Sequence, residues 1–213
     1  MPLVDLTRTL ELVKQAQTGD RDALDRLFAR YYDRVLRIVR IRLGMKLRRD
    51  FESGDILQDA FAVAVRKFDD FEMRDEAAFI GWMRQIVEHQ ITDKVDWQRA
   101  KSRDRAREVP IAGATSDEED DQPRGFDPVA DQTGPLGALA KGESREMVEA
   151  RLAEIEPKYR DLILLRDYEG HSWDRIAELT NRPSPDAARM MYAKALVELG
   201  TRIRQHRDDS RTN

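Results

Sequence analysis

Two cationic side chains near the C-terminal end of the chain, Arg189 and Lys194, lie on one predicted helix that could contact an anionic groove. They belong to the stretch SWDRIAELTNRPSPDAARMMYAKALVEL, residues 172–199, which has the pattern of a short helix, a polar break and a longer helix. Ser184 is a favourable N-cap for the longer helix, and Pro185 suits its first turn, where the missing N–H is not needed. A helix-turn-helix that inserts its second helix into the major groove of DNA has this pattern. The alternative is an αα-hairpin that serves only as part of a bundle.

The longer helix has two chemically different faces. Apolar residues spaced by four, three and four positions predict a buried face formed by Ala188, Tyr192, Ala195 and Leu199. The opposite face combines small side chains with long ones: Ala187, Arg189, Met190, Ala193 and Lys194. Small residues allow a close approach to another surface, and a few long basic side chains can reach DNA from such a face.

A polar ridge made of Asp55, Gln58 and Asp59 lies on another predicted helix, whose other residues are largely apolar. A hydrophobic core does not need these three side chains, so they are candidates for binding a partner. The alternative is local. Asp55 and Gln58 have the spacing of a capping box, which would make Asp55 the N-cap and leave its neighbours solvated.

A basic segment, DWQRAKSRDRAR at residues 96–107, follows a run of apolar residues. If it is helical, Arg99 and Arg103 share one face, and Lys101 lies roughly opposite them. Such a helix end suits a polyanion, with Trp97 available to stack on a base. The alternative is a solvated tail with Trp97 in the core.

Four helices are predicted to position these side chains in the N-terminal half. Apolar stripes cover residues 10–16 and 24–39, and each is followed by a glycine. The third helix is expected to begin at Asp55 and to turn seven residues inward: Ile56, Leu57, Ala60, Phe61, Ala64, Val65 and Phe68. The fourth has its apolar stripe over residues 79–87 and is expected to run past Trp97. These patterns predict an all-α protein.

The composition limits the class of protein. Charged residues make up 37% of the 213 residues and aromatic residues 7%, which suits helices with thin apolar stripes better than a thick β-sandwich. The sequence has no apolar run of about 18 residues and no signal-peptide core, so we expect a cytoplasmic protein without membrane insertion. It contains no cysteine, which excludes disulfides and thiolate zinc sites.

An acidic segment separates two helical modules. Residues 113–135 contain seven acidic side chains and one arginine, with several Gly and Pro residues and almost no apolar periodicity. Such a composition does not offset the conformational entropy lost on ordering. We therefore predict two small helical domains joined by an acidic flexible linker over residues 110–142, the C-terminal domain being a helix-turn-helix domain.

Three strings of the N-terminal module resemble the first conserved domain of extracytoplasmic-function (ECF) sigma factors, the small two-domain members of the sigma-70 family: GDRDALDRLFARYYDRVLRIVRIRLG, GDILQDAFAVAVRKF and FIGWMRQIVEHQITDKV. The C-terminal LAEIEPKYRDLILLRDYEGHSWDRIAELTNRPSPDAARMMYAKALVEL is similar to their second domain. The resemblance implies a bacterial transcription initiation factor that binds core RNA polymerase and directs it to specific promoters. It also implies a sigma region-2-like domain at 1–109, the linker at 110–142, a sigma region-4-like domain at 143–206 and a disordered tail at 207–213.

The same resemblance assigns a role to each candidate surface. The polar ridge matches the residues that dock on the clamp helices of core polymerase: Asp55, Gln58 and Asp59. The segment that opens and recognises the minus-10 promoter element is matched by His89, Trp97, Arg99, Lys101 and Arg103. The helix that recognises the minus-35 element is matched by Ser184, Asp186, Ala187, Arg189, Met190 and Lys194.

The chain departs from the family pattern within and beside these segments. It has His89 where the family often has Asn, Asp96 where a basic residue is common, and Met190 where polar or basic residues are common. The base contacts near minus-10 therefore stay open. At minus-35, Met190 could contact a thymine methyl group.

The partners implied by the resemblance are core RNA polymerase, through its clamp helices and flap, and promoter DNA, and it leaves room for an anti-sigma protein. The net charge of −4 argues against a free-standing, non-specific DNA-binding protein, which usually carries a basic excess. A polymerase subunit need not hold DNA alone, so the charge agrees with this function.

Other function classes remain open from the residues themselves. A two-domain helix-turn-helix regulator that acts without polymerase would need to dimerise, and neither module has a heptad seam. An enzyme is disfavoured because the three histidines, His89, His171 and His206, lie far apart and no phosphate-binding glycine loop is present. We therefore expect no catalytic residue, metal, cofactor or small-molecule substrate. A pure interaction adaptor would not need both basic segments.

Overall fold

The computed structural model describes residues 3–105, 134–139 and 144–212, and the regular elements in these ranges are helices. The N-terminal module contains α1 Leu3–Gln17, α2 Arg21–Leu47, α3 Ser53–Arg66 and α4 Glu76–Arg105, with a 3₁₀ turn Phe68–Asp70 between α3 and α4. The C-terminal module contains α5 Pro135–Leu139, α6 Arg145–Glu154, α7 Pro157–Ile163, a π-helix Leu164–Tyr168, α8 Trp173–Leu179 and α9 Pro185–Thr212. The predicted all-α fold is confirmed for these ranges.

Local sequence features account for the ends of α1 and α2. Helix α1 ends at Gln17, and Gly19 follows with a φ of 94°, a left-handed conformation that glycine adopts without a Cβ clash. Asp20 then caps α2, because its side chain accepts a hydrogen bond from the Ala23 N–H at 3.1 Å. Gly44, with a φ of 62°, kinks α2 where the apolar stripe was expected to end.

Two expectations for α3 are wrong. The helix begins at Ser53, and its N-cap Glu52 makes no side-chain capping bond. Asp55 therefore lies in the first turn, where the positive end of the helix dipole favours its carboxylate, and it is not the N-cap of a capping box. Val65 is 48% exposed instead of buried, because it follows Ile56 by nine residues and so lies on the opposite side of the helix.

One hydrophobic core runs through both modules. In the N-terminal module it includes stacked aromatic pairs, Phe28 on Phe61 with centroids 4.7 Å apart and Phe71 on Trp82 at 4.5 Å. The same core continues into buried residues of the C-terminal module: Val148, Leu152, Ile155, Ile163, Leu164, Tyr192, Ala195, Leu199 and Ile203. A smaller cluster packs α8 against α9, α7 and the π-helix. It consists of Leu162, Leu165, Ile176, Ala177 and Ala188.

Only parts of the predicted linker and tail lie within the residues that the structure describes. Most of the linker lies outside the described residues, but α5 falls within it, and its Leu136 and Leu139 pack against the core. Helix α9 continues through Thr212, into the stretch 207–213 for which a disordered tail was expected, because no Gly or Pro interrupts it after Gly200. Of the helices in the described ranges, none is long and apolar enough to cross a membrane.

Candidate nucleic-acid and protein interfaces

The helix-turn-helix consists of α8, a tight turn and the first part of α9. Ser172 caps α8 by accepting a hydrogen bond from the Arg175 N–H at 3.2 Å, and Ser184 caps α9 by accepting one from the Ala187 N–H at 3.2 Å. Between the helices, Asn181 has a φ of 53°, a left-handed conformation that Asn tolerates better than most residues. The predicted N-cap role of Ser184 is confirmed.

Helix α9 buries one face and exposes the other, as its spacing predicts. The buried face consists of four residues that are each at most 5% exposed: Ala188, Tyr192, Ala195 and Leu199. We define the recognition face as five residues on the other side: Asp186, Ala187, Arg189, Met190 and Lys194. All of them are exposed except the half-buried Ala187, and Met190 has 66% of its surface in solvent.

Arg189 is positioned by its neighbours. Its Nη1 lies 2.5 Å from Asp186 Oδ1, and its Cζ lies 5.8 Å from the centroid of the Trp173 ring. Arg166 stacks on the same ring at 4.7 Å, and Tyr192 meets it edge-on at 5.2 Å. The exposed pair with Asp186 contributes little free energy, so Arg189 can exchange it for another partner. Trp173 was not among the predicted site residues, and the local sign for it is an aromatic side chain beside the cap of α8.

A partly buried carboxylate ties α9 to the π-helix. The Tyr192 hydroxyl donates to Asp167, with its oxygen 2.8 Å from Oδ2 and 3.1 Å from Oδ1. Burial raises the pKa of Asp167 from 3.8 to about 6, although the hydrogen bond from Tyr192 and the charge of Arg166 act in the opposite direction. This contact helps to orient the buried face of α9, and therefore the recognition face.

Replacing Asp167 with Asn is expected to raise the free energy of unfolding at pH 7 by up to about 3 kcal/mol. The reason is that the pKa of Asp167 rises from 3.8 to about 6 on folding, so the charged carboxylate destabilises the folded state at pH 7. The amide keeps an oxygen that accepts the Tyr192 hydrogen bond. Because the folded-state pKa is raised, the carboxyl's stabilising contribution is complete below pH 3.8 and is lost as the pH rises through about 6. Denaturant unfolding of both chains should show a large difference at pH 7 and a small one near pH 4. A difference that does not change with pH contradicts the assignment.

The basic segment forms the C-terminal end of α4, which runs past Trp97 as predicted. Trp97 is 62% exposed, so the alternative that placed it in the core is wrong. Lys101 Nζ lies 4.6 Å from the centroid of the Trp97 ring, and Arg99 Nη1 lies 3.6 Å from Asp96 Oδ1. Arg103 belongs to α4, but its side chain falls outside the described part of the structure.

His89 lies two turns before Trp97 on the same helix. It is exposed, and its Nδ1 lies 2.8 Å from the carbonyl oxygen of Gln85, to which it donates when that nitrogen carries the proton. Because the residue is exposed, an external hydrogen-bonding group can reach the imidazole.

The polar ridge lies on the first two turns of α3. Asp55 and Gln58 are exposed, and Asp59 is half-buried. Asp59 Oδ2 pairs with Lys94 Nζ of α4 at 2.8 Å, a contact that the sequence did not indicate. Lys94 precedes Trp97 by three residues, so the structure brings the ridge close to the basic end of α4. The recognition face belongs to the other module.

Metal binding has no support in the described residues. Within these ranges, no three His, Cys, Asp or Glu side chains are grouped closely enough to hold an ion. The three surfaces instead offer exposed cations, an exposed aromatic ring and exposed acidic or amide groups. Such surfaces suit binding to nucleic acid and to protein.

Comparison with known proteins gives a consistent result. A family model described as ECF sigma factor matches residues 5–191. The chain is 25% identical over 173 residues to the RNA polymerase sigma-H factor of Pseudomonas aeruginosa, covering 81% of this chain and 82% of that protein. It is 26% identical over 171 residues to the ECF RNA polymerase sigma factor SigW of Bacillus subtilis, covering 80% and 84%. The ECF RNA polymerase sigma-E factor of Haemophilus influenzae is 24% identical over 188 residues, covering 88% and 92%.

Proposed function

Because the chain belongs to the ECF sigma factor family, and is therefore an initiation factor that directs RNA polymerase to promoters, we propose how its surfaces divide this work. The N-terminal domain, residues 1–109, docks on core polymerase and opens the minus-10 element in the cytoplasm. The C-terminal domain, residues 143–206, binds the minus-35 element, and residues 110–142 join the two. A regulator that acts without polymerase is not favoured, because the family match spans nearly the whole chain.

The polar ridge is the proposed docking surface for core polymerase. Buried Ile56, Leu57 and Ala60 hold α3 in the core, so the helix presents its polar side on a rigid support. Asp55 and Gln58 are exposed, so a partner can contact them without disturbing the core. We propose from the family alone that the chain contacts the clamp helices and the flap of polymerase. An anti-sigma protein is proposed as a further partner on the same basis.

The basic end of α4 is the proposed surface for the minus-10 element. Trp97 offers an exposed ring on which an unpaired base can stack, while Arg99, Lys101 and Arg103 are placed to meet phosphates. His89 lies nearer to the core of the module and offers a hydrogen-bonding edge. The net charge of −4 weakens binding by the free chain, which suits a subunit that acts within a polymerase complex.

The recognition face of α9 is the proposed surface for the minus-35 element, and its exposure is the observation that carries the proposal. Arg189 lies near the start of the face and can donate two hydrogen bonds to guanine O6 and N7. Lys194 lies farther along the helix, where it should mainly meet phosphate. Ala187 leaves room for the helix to approach the groove, and Met190 supplies an apolar contact.

Alanine at Arg189 and alanine at Lys194 should therefore have different effects on promoter binding. R189A is expected to cost about 1–3 kcal/mol on the preferred minus-35 sequence and to relax discrimination at one base position. K194A should weaken binding to all sequences by a similar factor, because phosphates carry no sequence information. The measurement is the affinity of the reconstituted polymerase complex for a library of minus-35 sequences.

A matched control is R202A, which removes an exposed arginine from the same helix, beyond the recognition face. It should leave both affinity and discrimination unchanged. If R189A lowers the affinity for every sequence equally, Arg189 only contacts phosphate. Specificity must then come from Asp186, Met190 or DNA shape.

A further inference from the structure

Three exposed cations lie at the C-terminal end of α2, just beyond its kink at Gly44. They are Lys46, Arg48 and Arg49, which we refer to as the basic tip. The strings that resemble ECF sigma factors do not include this stretch, because one ends at Gly44 and the next begins at Gly54. The resemblance therefore assigns these side chains no role, and the hydrophobic core does not need them.

The backbone of the basic tip is fixed by its apolar neighbours. Leu47 and Phe51 are half-buried and pack against the hydrophobic core. The Phe51 N–H donates to the Leu47 carbonyl at 2.9 Å, and the Arg48 N–H donates to the Gly44 carbonyl at 3.2 Å. A backbone that is already ordered loses little conformational entropy when its side chains bind a partner.

The basic tip and the basic segment of α4 lie at the same end of the module, because α2 and α4 pack side by side and run in the same direction. Tyr31 of α2 meets Phe79 of α4 with ring centroids 4.8 Å apart. Farther along both helices, Arg42 of α2 pairs with Glu88 of α4 at 3.0 Å. The basic tip follows Arg42 by four to seven residues, and the basic segment of α4 follows Glu88.

Arg99 lies on the side of α4 that faces α2. Its position follows Glu88 by eleven residues, which is about three helical turns, so both residues share one face of the helix. Glu88 contacts Arg42, and this face is therefore the one directed toward α2. Since the axes of packed helices are about 8–10 Å apart, the basic tip and Arg99 belong to one basic surface built from two helices.

The charges around this surface suit a polyanion. Residues 46–49 carry three positive charges and no negative one. DNA is favoured over an acidic surface of core polymerase as the partner, because the basic tip adjoins the face that carries Arg99. Asp50 and Glu52 separate the basic tip in sequence from α3 and its polar ridge, the proposed docking surface for polymerase.

We propose that the basic tip binds phosphates of promoter DNA that flank the minus-10 element. The inference rests on the proposed function, which places the minus-10 element at the end of α4. One strand of DNA advances about 3.4 Å per nucleotide, so an offset of about 8–10 Å between the helices corresponds to roughly three nucleotides. The basic tip adds affinity at every promoter and no sequence preference, because phosphates carry no sequence information.

The first test neutralises single phosphates of the DNA. Promoter fragments that are already unpaired at the minus-10 element each carry one methylphosphonate in or beside that element, and the complex of the chain with core polymerase binds them. The wild-type complex should lose about two- to fivefold in affinity at one to three flanking positions. K46A/R48A/R49A should lose nothing further at these positions. If no flanking phosphate matters to the wild type, or if the variant stays equally sensitive, the proposal is wrong.

The second test measures the salt dependence of binding to the unmodified fragment. K46A/R48A/R49A should bind about tenfold more weakly, and its log–log salt slope should fall by up to about three. K46R/R48K/R49K keeps all three charges and should keep the wild-type slope. R66A/K67A/R74A removes three exposed cations from elsewhere in the same module and should change neither quantity. A K46A/R48A/R49A complex with the wild-type slope contradicts the proposal.

Competition for core polymerase without DNA distinguishes the two classes of partner. K46A/R48A/R49A should compete as well as the wild type, with helix content unchanged by circular dichroism. A variant that loses core binding but keeps the wild-type salt slope shows that the basic tip binds polymerase, and overturns the proposal. If the triple variant does not fold, the phosphate map of the wild type still decides. A wild-type complex that binds none of the fragments would instead contradict the proposed function.

Discussion

Replacing Asp55, Gln58 and Asp59 together with alanine is expected to weaken binding to core RNA polymerase by roughly 100-fold or more, because a few side chains carry most of the energy of a protein interface. Asp55 and Gln58 stand in solvent, so their removal leaves no cavity in the core. Asp59 is paired with Lys94, but both side chains are at least 32% exposed, and such a pair adds little to folding stability. Helix content and the free energy of unfolding should therefore change little.

The single variant D55A is also informative, because Asp55 is not the N-cap of α3 and its loss removes no capping bond. D69A/E72A is the matched control, since it removes two exposed carboxylates from the same module at a distance in sequence from the ridge. The measurement is competition with labelled wild-type chain for core polymerase. A triple variant that competes as well as the wild type shows that the ridge is not the docking surface.

Alanine at Arg99, Lys101 and Arg103 is expected to reduce open-complex formation and to flatten its salt dependence by up to about three log–log units, about one for each phosphate that the variant no longer neutralises. Arg99 and Lys101 are exposed at the end of α4, so the variant should fold normally. Permanganate reactivity of the minus-10 thymines at several salt concentrations measures both effects. An unchanged salt slope contradicts the role in phosphate binding.

Replacing Trp97 with alanine should separate base stacking from charge. The ring is 62% exposed and carries no charge, so W97A should reduce melting by the equivalent of about 1–3 kcal/mol without changing the salt slope. R66A/K67A/R74A is the control for the basic triple variant, because it removes three exposed cations from the same module. A salt slope that falls equally in this control would mean that total charge, and not the end of α4, determines binding.

Most of the helices and the exposed face of α9 could be predicted from the sequence alone. Ser184 caps α9, and Ala188 and Tyr192 lie on its buried face. Both features depend on residues within one or two turns of each other, so the spacing of apolar and capping residues predicts them. The continuation of α4 past Trp97 follows from the same local rule. The order and separation of the strings that resemble ECF sigma factors also indicated the family to which the chain belongs.

Local rules were less reliable at the start and the outer face of α3. The capping-box spacing placed the helix start at Asp55, but the chain enters the helix two residues earlier without a side-chain cap. Val65 fits an apolar stripe in composition, yet it faces solvent because no other helix in the described ranges covers that side of α3. Propensity and spacing describe one element, whereas burial depends on which neighbours are packed against it.

The pairing of the charged groups and the contact between the modules depend on long-range packing, which the sequence pattern did not reveal. Arg42 and Asp161 are 119 positions apart, and Arg34 lies 134 positions before Tyr168. The partners of Lys94 and Glu169 are likewise set by the packing of one helix on another. In sequence these residues look like ordinary surface charges of a highly charged protein. Whether such a charge stays hydrated or must find a partner depends on the surface that covers it, because burial without compensation is costly, and long-range packing alone decides what is covered.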